Sequence, residues 1–469
     1  MNATLQCFCQ IEEFVLYFKY DKHVNDIKDS HALNKKYLTP SFKLLIEQIW
    51  PDEAKIIESE NRNYSPKEFR RKIADMNPLF IDYKANDAKD LVNFIIMTLH
   101  EELNENVVGN NINATSINLF NNNDIKYVYK VFCEEYKRNF KSKISEIFYA
   151  IQQTTTKCLN CQNCQYNFQA YFFLVFPLEE VKKYAINKIN NDMLKNNFNN
   201  NMNNQLMSNS FGNNYNMNMI NNFINPMNVI NINNFNNSMD MNMNMNMNMI
   251  MFNPFLNSMP MLQTGNVFNN MNNLYNNFGF NNNNNISSLQ FANNSSNNLI
   301  NNNNNIINSF NTNPRLNKLY NNIVNISDCF EYNQKPEIFK DSNQIYCNNC
   351  GQMSSAEYTS YLTTAPKVLI LLLNRGTGIQ YKIKLEFTTE LDITNYVTEK
   401  TGNIKYKLIG VITHLGQSGE SGHFIAHCLS PIDEKWYTYN DSIVKEIGDF
   451  QKEIIDLGMP YLLFYQKIE

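Results

Sequence analysis

The sequence predicts an α+β chain, and three observations carry that reading: helical spacings come first, strand-like runs come later, and an Asn- and Met-rich tract separates two blocks of ordinary composition. Leu5, Cys9, Glu12, Glu13 and the apolar run Phe14 to Phe18 meet no breaker before Asp21, so the first segment reads as helical. A second helix is marked by Ala88, Leu91, Val92, Ile95, Leu99 and Leu103, which recur at spacings of three and four, with Asn86 or Asp87 able to cap the first turn. A third runs over Ile125 to Arg138. After Ile151 the pattern shortens, and Tyr171 to Phe176, ending at Pro177, reads as strand. Beyond the tract, strands are expected over Lys367 to Leu373, Tyr406 to Thr413, Phe424 to Leu429, Trp436 to Tyr439 and Tyr461 to Tyr465.

Residues 186–313 contain 54 Asn, 16 of the 21 Met and only four charged side chains, Lys188, Asp192, Lys195 and Asp240. Met241 to Met249 merely alternates Met with Asn. Such a composition lacks the mixture a packed core needs, so residues 185–315 read as a disordered, association-prone insertion between parts 1–184 and 316–469. The 338 residues outside it can bury a large core. A net charge of −4 gives no basic footprint for nucleic acid or anionic lipid. The longest strongly apolar run, Val368 to Leu373, is far shorter than a bilayer span. Met1-Asn2-Ala3-Thr4 does not open a secretory signal, so the ten Cys read as reduced thiols, metal ligands or a nucleophile, in a cytoplasmic or nuclear setting.

Two CxxC knuckles stand at Cys158-Leu159-Asn160-Cys161 and Cys347-Asn348-Asn349-Cys350. Each short turn brings two sulfurs onto one metal edge, and two such turns satisfy tetrahedral zinc. The 185 residues between Cys161 and Cys347 exceed the usual zinc-ribbon spacing, which the insertion accounts for. Cys161 and Cys164 also have CxxC spacing, so the choice of ligand stays open there, and a set of unrelated buried thiols is the competing reading. Nearer the carboxyl end, a Gly-rich loop with Gly416, Gly419 and Gly422 delivers His423 to the start of a strand, and a second strand ends in Asn440 and Asp441. A side-chain oxygen there can accept from one imidazole nitrogen and leave the other as a general base. The plainer reading is a structural surface pair.

These residues resemble the ubiquitin-specific protease family of cysteine deubiquitinases. The resemblance lies in the apolar strand before His414, in Gly416, Gly422-His423-Phe424, Trp436, Asn440-Asp441 and the closing Tyr461 to Tyr465. Asn86-Asp87-Ala88-Lys89-Asp90-Leu91, the two knuckles, and Pro366 to Ile370 followed by Leu373-Asn374-Arg375 extend it over nearly everything but the insertion. It implies a papain-like fold of thumb, palm and zinc-bearing fingers that grips ubiquitin on ubiquitinated proteins and hydrolyses the isopeptide bond after its C-terminal glycine. His423 would then be the base, Asn440 its orienter and Asp441 an adjacent polar support. Asp87 and Asp90 would hold the basic tail of ubiquitin, Asp90 standing where Glu is more usual, although a helix cap explains Asp87 equally well. Gly416, Gly419 and Gly422 would line a cleft narrow enough for a diglycine tail.

One departure matters. In the family the nucleophilic Cys precedes a stretch like Tyr-Met-Asn-x-x-Leu-Gln at a helix amino end, where the dipole favours thiolate. Met1-Asn2-Ala3-Thr4-Leu5-Gln6 begins inside that match, which places the nucleophile upstream of Met1. Cys7 and Cys9 lie about 12 Å further along, at 1.5 Å per residue, and read as core or helix-surface thiols. An active protease with a longer start, an inactive ubiquitin-binding remnant and a zinc-stabilised interaction scaffold are the three resulting expectations.

Overall fold

Residues 1–26, 37–51, 64–81, 86–104, 124–208, 313–376, 382–399, 402–418, 421–456 and 458–468 are described by the computed structural model of the chain. The first part is helical: α1 (Asn2–Phe8), α2 (Glu12–Lys19), α3 (Thr39–Ile49), α4 (Lys67–Met76), α5 (Ala88–Leu103), α6 (Ile125–Asn139) and α7 (Lys143–Phe148). The first helical segment is therefore two helices. Cys7, Phe8, Cys9, Gln10 and Ile11 are all buried, and five consecutive positions cover every side of a helix at about 100° per residue. A turn at Cys9 and Gln10 lets both neighbours bury one face, and the Cys9 carbonyl accepts from Trp50 Nε1 at 2.8 Å. On α5, Asp87 caps the amino end by accepting from the Lys89 amide at 3.0 Å. Near its other end, buried Glu102 accepts from the amides of Leu38 and Thr39 at 2.7 and 2.8 Å, satisfying the amino end of α3.

Strands follow. β1 (Ala150–Cys158), β2 (Cys164–Tyr171) and β3 (Phe173–Pro177) lead into α8 (Leu178–Ser208). After the tract come α9 (Pro314–Tyr320), β4 (Ile323–Asn325), α10 (Ile326–Asn333), β5 (Glu337–Phe339), β6 (Ile345–Cys347), β7 (Gln352–Ser354), β8 (Ala356–Leu362) and β9 (Val368–Asn374). The chain closes with β10 (Lys384–Glu386), β11 (Glu390–Asp392), β12 (Lys405–Ser418), β13 (Ser421–Leu429), β14 (Trp436–Asn440), β15 (Ile443–Glu446) and β16 (Pro460–Lys467). The palm is the sheet ordered β15-β14-β13-β12-β16-β9-β3, with β11 added on β12. It is antiparallel apart from the parallel pair β3 and β9. The fingers are the sheet ordered β2-β1-β8-β5, so β1 and β8, from opposite sides of the tract, are neighbours. The expected single run Tyr171 to Phe176 is shared between β2 and β3, one strand in each sheet.

The thumb helices bury one face of the palm. Phe8 sits among the rings of Phe14, Phe148 and Phe464 at centroid distances of 5.7, 5.8 and 6.0 Å, which ties α1 to β16. Lys143 and Lys367 each bridge Glu13 and Glu146 at 2.6 to 2.9 Å, holding α2 and α7 to the start of β9. The opposite face is covered by α8, α9 and α10, through Val181, Ala185, Leu316, Leu319, Cys329 and Phe330. Among the described residues no helix is long and apolar enough to cross a membrane.

The expected boundary at 185 falls inside α8. Leu178, Val181, Ala185 and Ile189 make a stripe along one side of that helix, all at most 8% exposed, and Met193 packs beyond them. Lys188 adds an ion pair to Glu331 of α10 at 2.7 Å. The packed part of the first block thus runs past the Asn-rich composition change, because these four apolar positions at helical spacing, with Ile186 and Met193 beside them, suffice to dock the helix. The rest of the insertion, 209–312, lies outside the described residues. A deletion beginning at 186 should therefore lower the melting temperature by several degrees relative to one beginning at 209, with both ending at 312. Equal melting temperatures would show that the docking of α8 beyond Ala185 contributes nothing.

Candidate functional site

His423 stands on β13 and Asn440 at the end of β14, and the imidazole Nε2 lies 2.8 Å from Asn440 Oδ1. An amide oxygen can only accept, so this bond requires the Nε2–H tautomer and leaves the Nδ1 lone pair available as a base. Asp441 Oδ2 is 3.7 Å from the same Nε2, and Asp441 Oδ1 accepts from Asn2 Nδ2 at 2.8 Å. The amino end of α1 is thereby brought to the imidazole. His23, His100, His414 and His427 are buried, so His423 is the one exposed imidazole among the described residues. His100 and His427 are tied to Ser142 and Thr438, and burial lowers both to about 4, which keeps them neutral structural groups.

Gly416 and Gly422 bracket His414. A Cβ on Gly422 would lie 2.3 Å from His414 Nε2 and 2.5 Å from the Leu415 carbonyl oxygen, and one on Gly416 would lie 2.5 Å from the Ser421 carbonyl oxygen. Neither position accepts a side chain without moving backbone. The two glycines thus let β12 and β13 close tightly around a buried imidazole, whose pKa is lowered chiefly by desolvation. Gly419 lies outside the described residues. His414 packs tilted against Phe424, Phe424 likewise against Tyr461, and Tyr461 Oη donates to Asp87 Oδ2 at 2.8 Å. Asp87 consequently does two things at once, capping α5 with one oxygen and binding the palm with the other. Asp90, one turn along, is pushed up to about 6 by burial first and by the Asp87 charge second.

The cysteines separate into groups. Cys7 and Cys428 face each other in the core at 3.8 Å between sulfurs, fully buried, and burial raises both the Cys428 and Cys9 thiols. Among the described residues no cysteine is hydrogen bonded to His423. Cys158, Cys161, Cys347 and Cys350 gather with all four sulfurs within 4.8 Å of one another. The sulfurs of Cys161 and Cys347 are 3.7 Å apart, and those of Cys158 and Cys350 are 3.9 Å apart. Zn–S bonds of about 2.3 Å in a tetrahedron require sulfurs about 3.8 Å apart, so the donor set fits zinc. The side chain of Asn349 and then the backbone at Asn163 hold the Cys161 thiol down at about 6, so this corner favours thiolate. Cys164 starts β2 outside the cluster, its sulfur near the Gln162 carbonyl, which resolves the alternative spacing.

Two contributors were not singled out from sequence. Asn2 reaches Asp441 across 439 residues, and no local pattern carries such a contact. Tyr461 was placed in the closing strand, but its bond to Asp87 depends on β16 lying beside α5.

The family model described as ubiquitin carboxyl-terminal hydrolase matches residues 1–465. Ubiquitin carboxyl-terminal hydrolase 12 of Saccharomyces cerevisiae is 26% identical over 183 residues, which cover 38% of this chain and 14% of that protein. Ubiquitin carboxyl-terminal hydrolase 48 of Rattus norvegicus is 33% identical over 120 residues, covering 24% of this chain and 12% of that protein. The matches thus span well under two thirds of these relatives. Among solved structures, the SAGA DUB module of Ubp8, Sgf11, Sus1 and Sgf73 bound to monoubiquitin is similar at a TM-score of 0.53 and 15% identity, over 100% of this chain and 66% of that one. The same module bound to ubiquitin aldehyde gives a TM-score of 0.51 at 15% identity, over 100% of this chain and 67% of that one. At that identity the likeness concerns the fold.

Two measurements test the site's chemistry. Elemental analysis of the purified chain should find one zinc per molecule, kept by Cys164→Ser and lost by Cys347→Ser with a lowered melting temperature; metal-free wild-type protein, or zinc lost with Cys164, would refute the assignment. The second concerns Asp90. Between pH 4 and 6 the unfolded chain has already released this proton while the folded chain retains it, so stability falls as pH rises through that window. Asp90→Asn should therefore stabilise the protein more at pH 7 than at pH 4, by at most about 3 kcal/mol given the size of the shift. Denaturant titrations that show the same difference from wild type at both pH values would contradict this.

Proposed function

The chain belongs to the ubiquitin carboxyl-terminal hydrolase family, and from that premise we propose that it provides the thumb, palm and fingers of a cysteine-type deubiquitinase acting on ubiquitinated proteins. The observation that carries the reading is the junction at His423: Asn440 holds Nε2 at 2.8 Å while Asp441, beside it, is bonded to Asn2 at the amino end of α1. A thiol just ahead of that helix end would face an imidazole whose Nδ1 is unprotonated, and the helix dipole would favour its thiolate. Nδ1 takes the thiol proton, the thiolate attacks the isopeptide carbonyl, and the imidazolium returns the proton to the leaving lysine amine. Water then hydrolyses the thioester by the same base.

The substrate side follows from charge and width. Asp87 and Asp90 place two carboxyl groups at the amino end of α5, suited to the basic residues of a ubiquitin tail. Gly416 and Gly422 are exposed beside His423 and put no side chain of their own in the way of a diglycine end. Zinc at the four fingertip thiols would close the two halves of the fingers and supply no catalytic step.

The test compares the chain from Met1 with one extended upstream through the expected Cys. The short chain should bind ubiquitin without cleaving a ubiquitin conjugate or reacting with a ubiquitin-tail electrophile. The extended chain should do both, and His423→Ala should lower its turnover by about 10²- to 10⁴-fold through loss of the base. Cleavage by the short chain that is abolished by Cys7→Ser or Cys9→Ser would relocate the nucleophile. An inert extended chain that carries the Cys and still binds ubiquitin would make this a binding protein.

A further inference from the structure

His423 has one proton to give at Nε2 and two acceptors close to it. Asn440 Oδ1 takes the bond at 2.8 Å, while Asp441 Oδ2 stands back at 3.7 Å, beyond hydrogen-bond range. Acceptor strength alone predicts the opposite order, because a carboxylate makes a charge-assisted bond about twice as strong as that of a neutral amide oxygen. The Asp441 side chain is 59% exposed, so packing does not hold it off the ring.

Its bonding does. Asp441 directly follows Asn440, between β14 and β15, with a left-handed φ of 51°. Its Oδ1 accepts from Asn2 Nδ2 at 2.8 Å, which is the one hydrogen bond to this carboxylate among the described residues. Asn2 opens α1, and α1 is seated in the core through Leu5, Cys7 and Phe8. The carboxylate is thus tied to a packed helix, and its second oxygen stops short of the imidazole.

We infer that Asn2 is a positioning residue: it holds Asp441 away from Nε2, so that a neutral amide and not a carboxylate orients the imidazole. This rests on the cysteine-hydrolase reading above and adds the group that selects the orienter of its base. The choice has a chemical consequence. A carboxylate bonded to the ring favours the imidazolium and makes it a weaker acid, whereas the base must take a thiol proton and then give it up to the leaving amine. With Asn2 removed, rotation of the Asp441 side chain by about 1 Å would bring its oxygen onto Nε2 in place of Asn440. Among the described residues, the other titratable or charged groups around this junction are His414 on β12 with Asp87 beyond it, the Met1 amino group, and Arg70 of α4. These are common to every variant below.

The test is a double-mutant cycle read on His423 itself, by NMR titration of the full chain carrying isotopically labelled histidine. Asn2→Ala should raise the midpoint of the His423 signal by about one pH unit, the size of effect that an opposite charge at contact gives. With Asp441→Asn already in place, Asn2→Ala should leave the midpoint where it was. Removing Asn2 then matters only while the carboxylate is present, which a loosened α1 would not reproduce. An unmoved midpoint in Asn2→Ala would overturn the inference, and so would a shift of the same size with Asp441 already replaced. The chain extended through the expected Cys supplies the link to turnover. There Asn2→Ala should lower kcat about three- to tenfold with KM for a ubiquitin conjugate unchanged, and by less than about twofold in the Asp441→Asn background. A kcat unmoved by Asn2→Ala in an active extended chain would also overturn the inference and leave the hydrolase reading intact. The expected NMR cycle beside an extended chain that cleaves nothing would instead keep the selection of Asn440 and refute the hydrolase reading.

Discussion

The register of β12 against β13 is the constraint on which the rest of the site depends. His414 faces Phe424 and Leu415 faces His423 in that ladder, with a shift between Leu415 and Ser418 as the strands approach their turn. Side chains alternate sides every residue, so a slip of one would turn His423 away from Asn440 and put His414 at the surface. Gly416 and Gly422 hold the register in place by steric exclusion, because the strands close over His414 with no room for a Cβ at either position. The same two strands carry Gly410 and Cys428 against Cys7, so the packing that seats α1 and the pairing that aims the imidazole are one arrangement.

That arrangement is reached only after long-range closure. β1 pairs with β8 across more than 190 residues, with Thr155 opposite Thr359, and the four clustered thiols come two from each side of the tract. Closing so long a loop is entropically costly, yet the cost grows only logarithmically with length, so an insertion here is tolerated far better than its size suggests. A zinc-thiolate cluster at the fingertips would offset that cost at the point where the hairpins β1-β2 and β6-β7 meet. The palm is closed differently: Arg375, buried at the end of β9, donates from Nε and Nη2 to the Pro460 carbonyl at 2.9 and 2.8 Å and fixes where β16 begins.

Much of this was legible in the sequence wherever the information is local or periodic. The spacing over Ala88 to Leu103 and the alternation from Tyr406 onward map onto α5 and β12 because a helix face and a buried strand impose those periods. The CxxC spacing likewise identified the four clustered thiols. Less was legible where tertiary packing decides. The break between α1 and α2 has no Gly or Pro, since it comes from the need to bury Cys7 through Ile11 on all sides. α8 hid within Asn-rich composition, because its docking needs only a thin stripe that runs from Leu178 to Met193. α3 and α10 are short and owe their ends to caps such as Glu102, 63 residues from the Thr39 amide it accepts from, and the Asn325 capping box.

The buried thiols and the amino end of α1 stand in opposite surroundings. Cys7, Cys9 and Cys428 are all at 0% exposure, and burial raises the Cys9 and Cys428 thiols because a thiolate has no solvation in an apolar interior. Their work is volume: Cys7 fills the space that Gly410 leaves, 3.1 Å from where a Cβ would stand. Replacing Gly410 by a larger residue would displace Cys7 and tilt α1, moving Asn2 relative to Asp441. The junction of Asn2, Asp441 and His423 is of the opposite kind, a polar helix end beside an exposed imidazole. The two ends of α1 thus sit in different surroundings: Cys7 is dry against Gly410 and Cys428, and Asn2 is bonded to exposed Asp441 beside the imidazole.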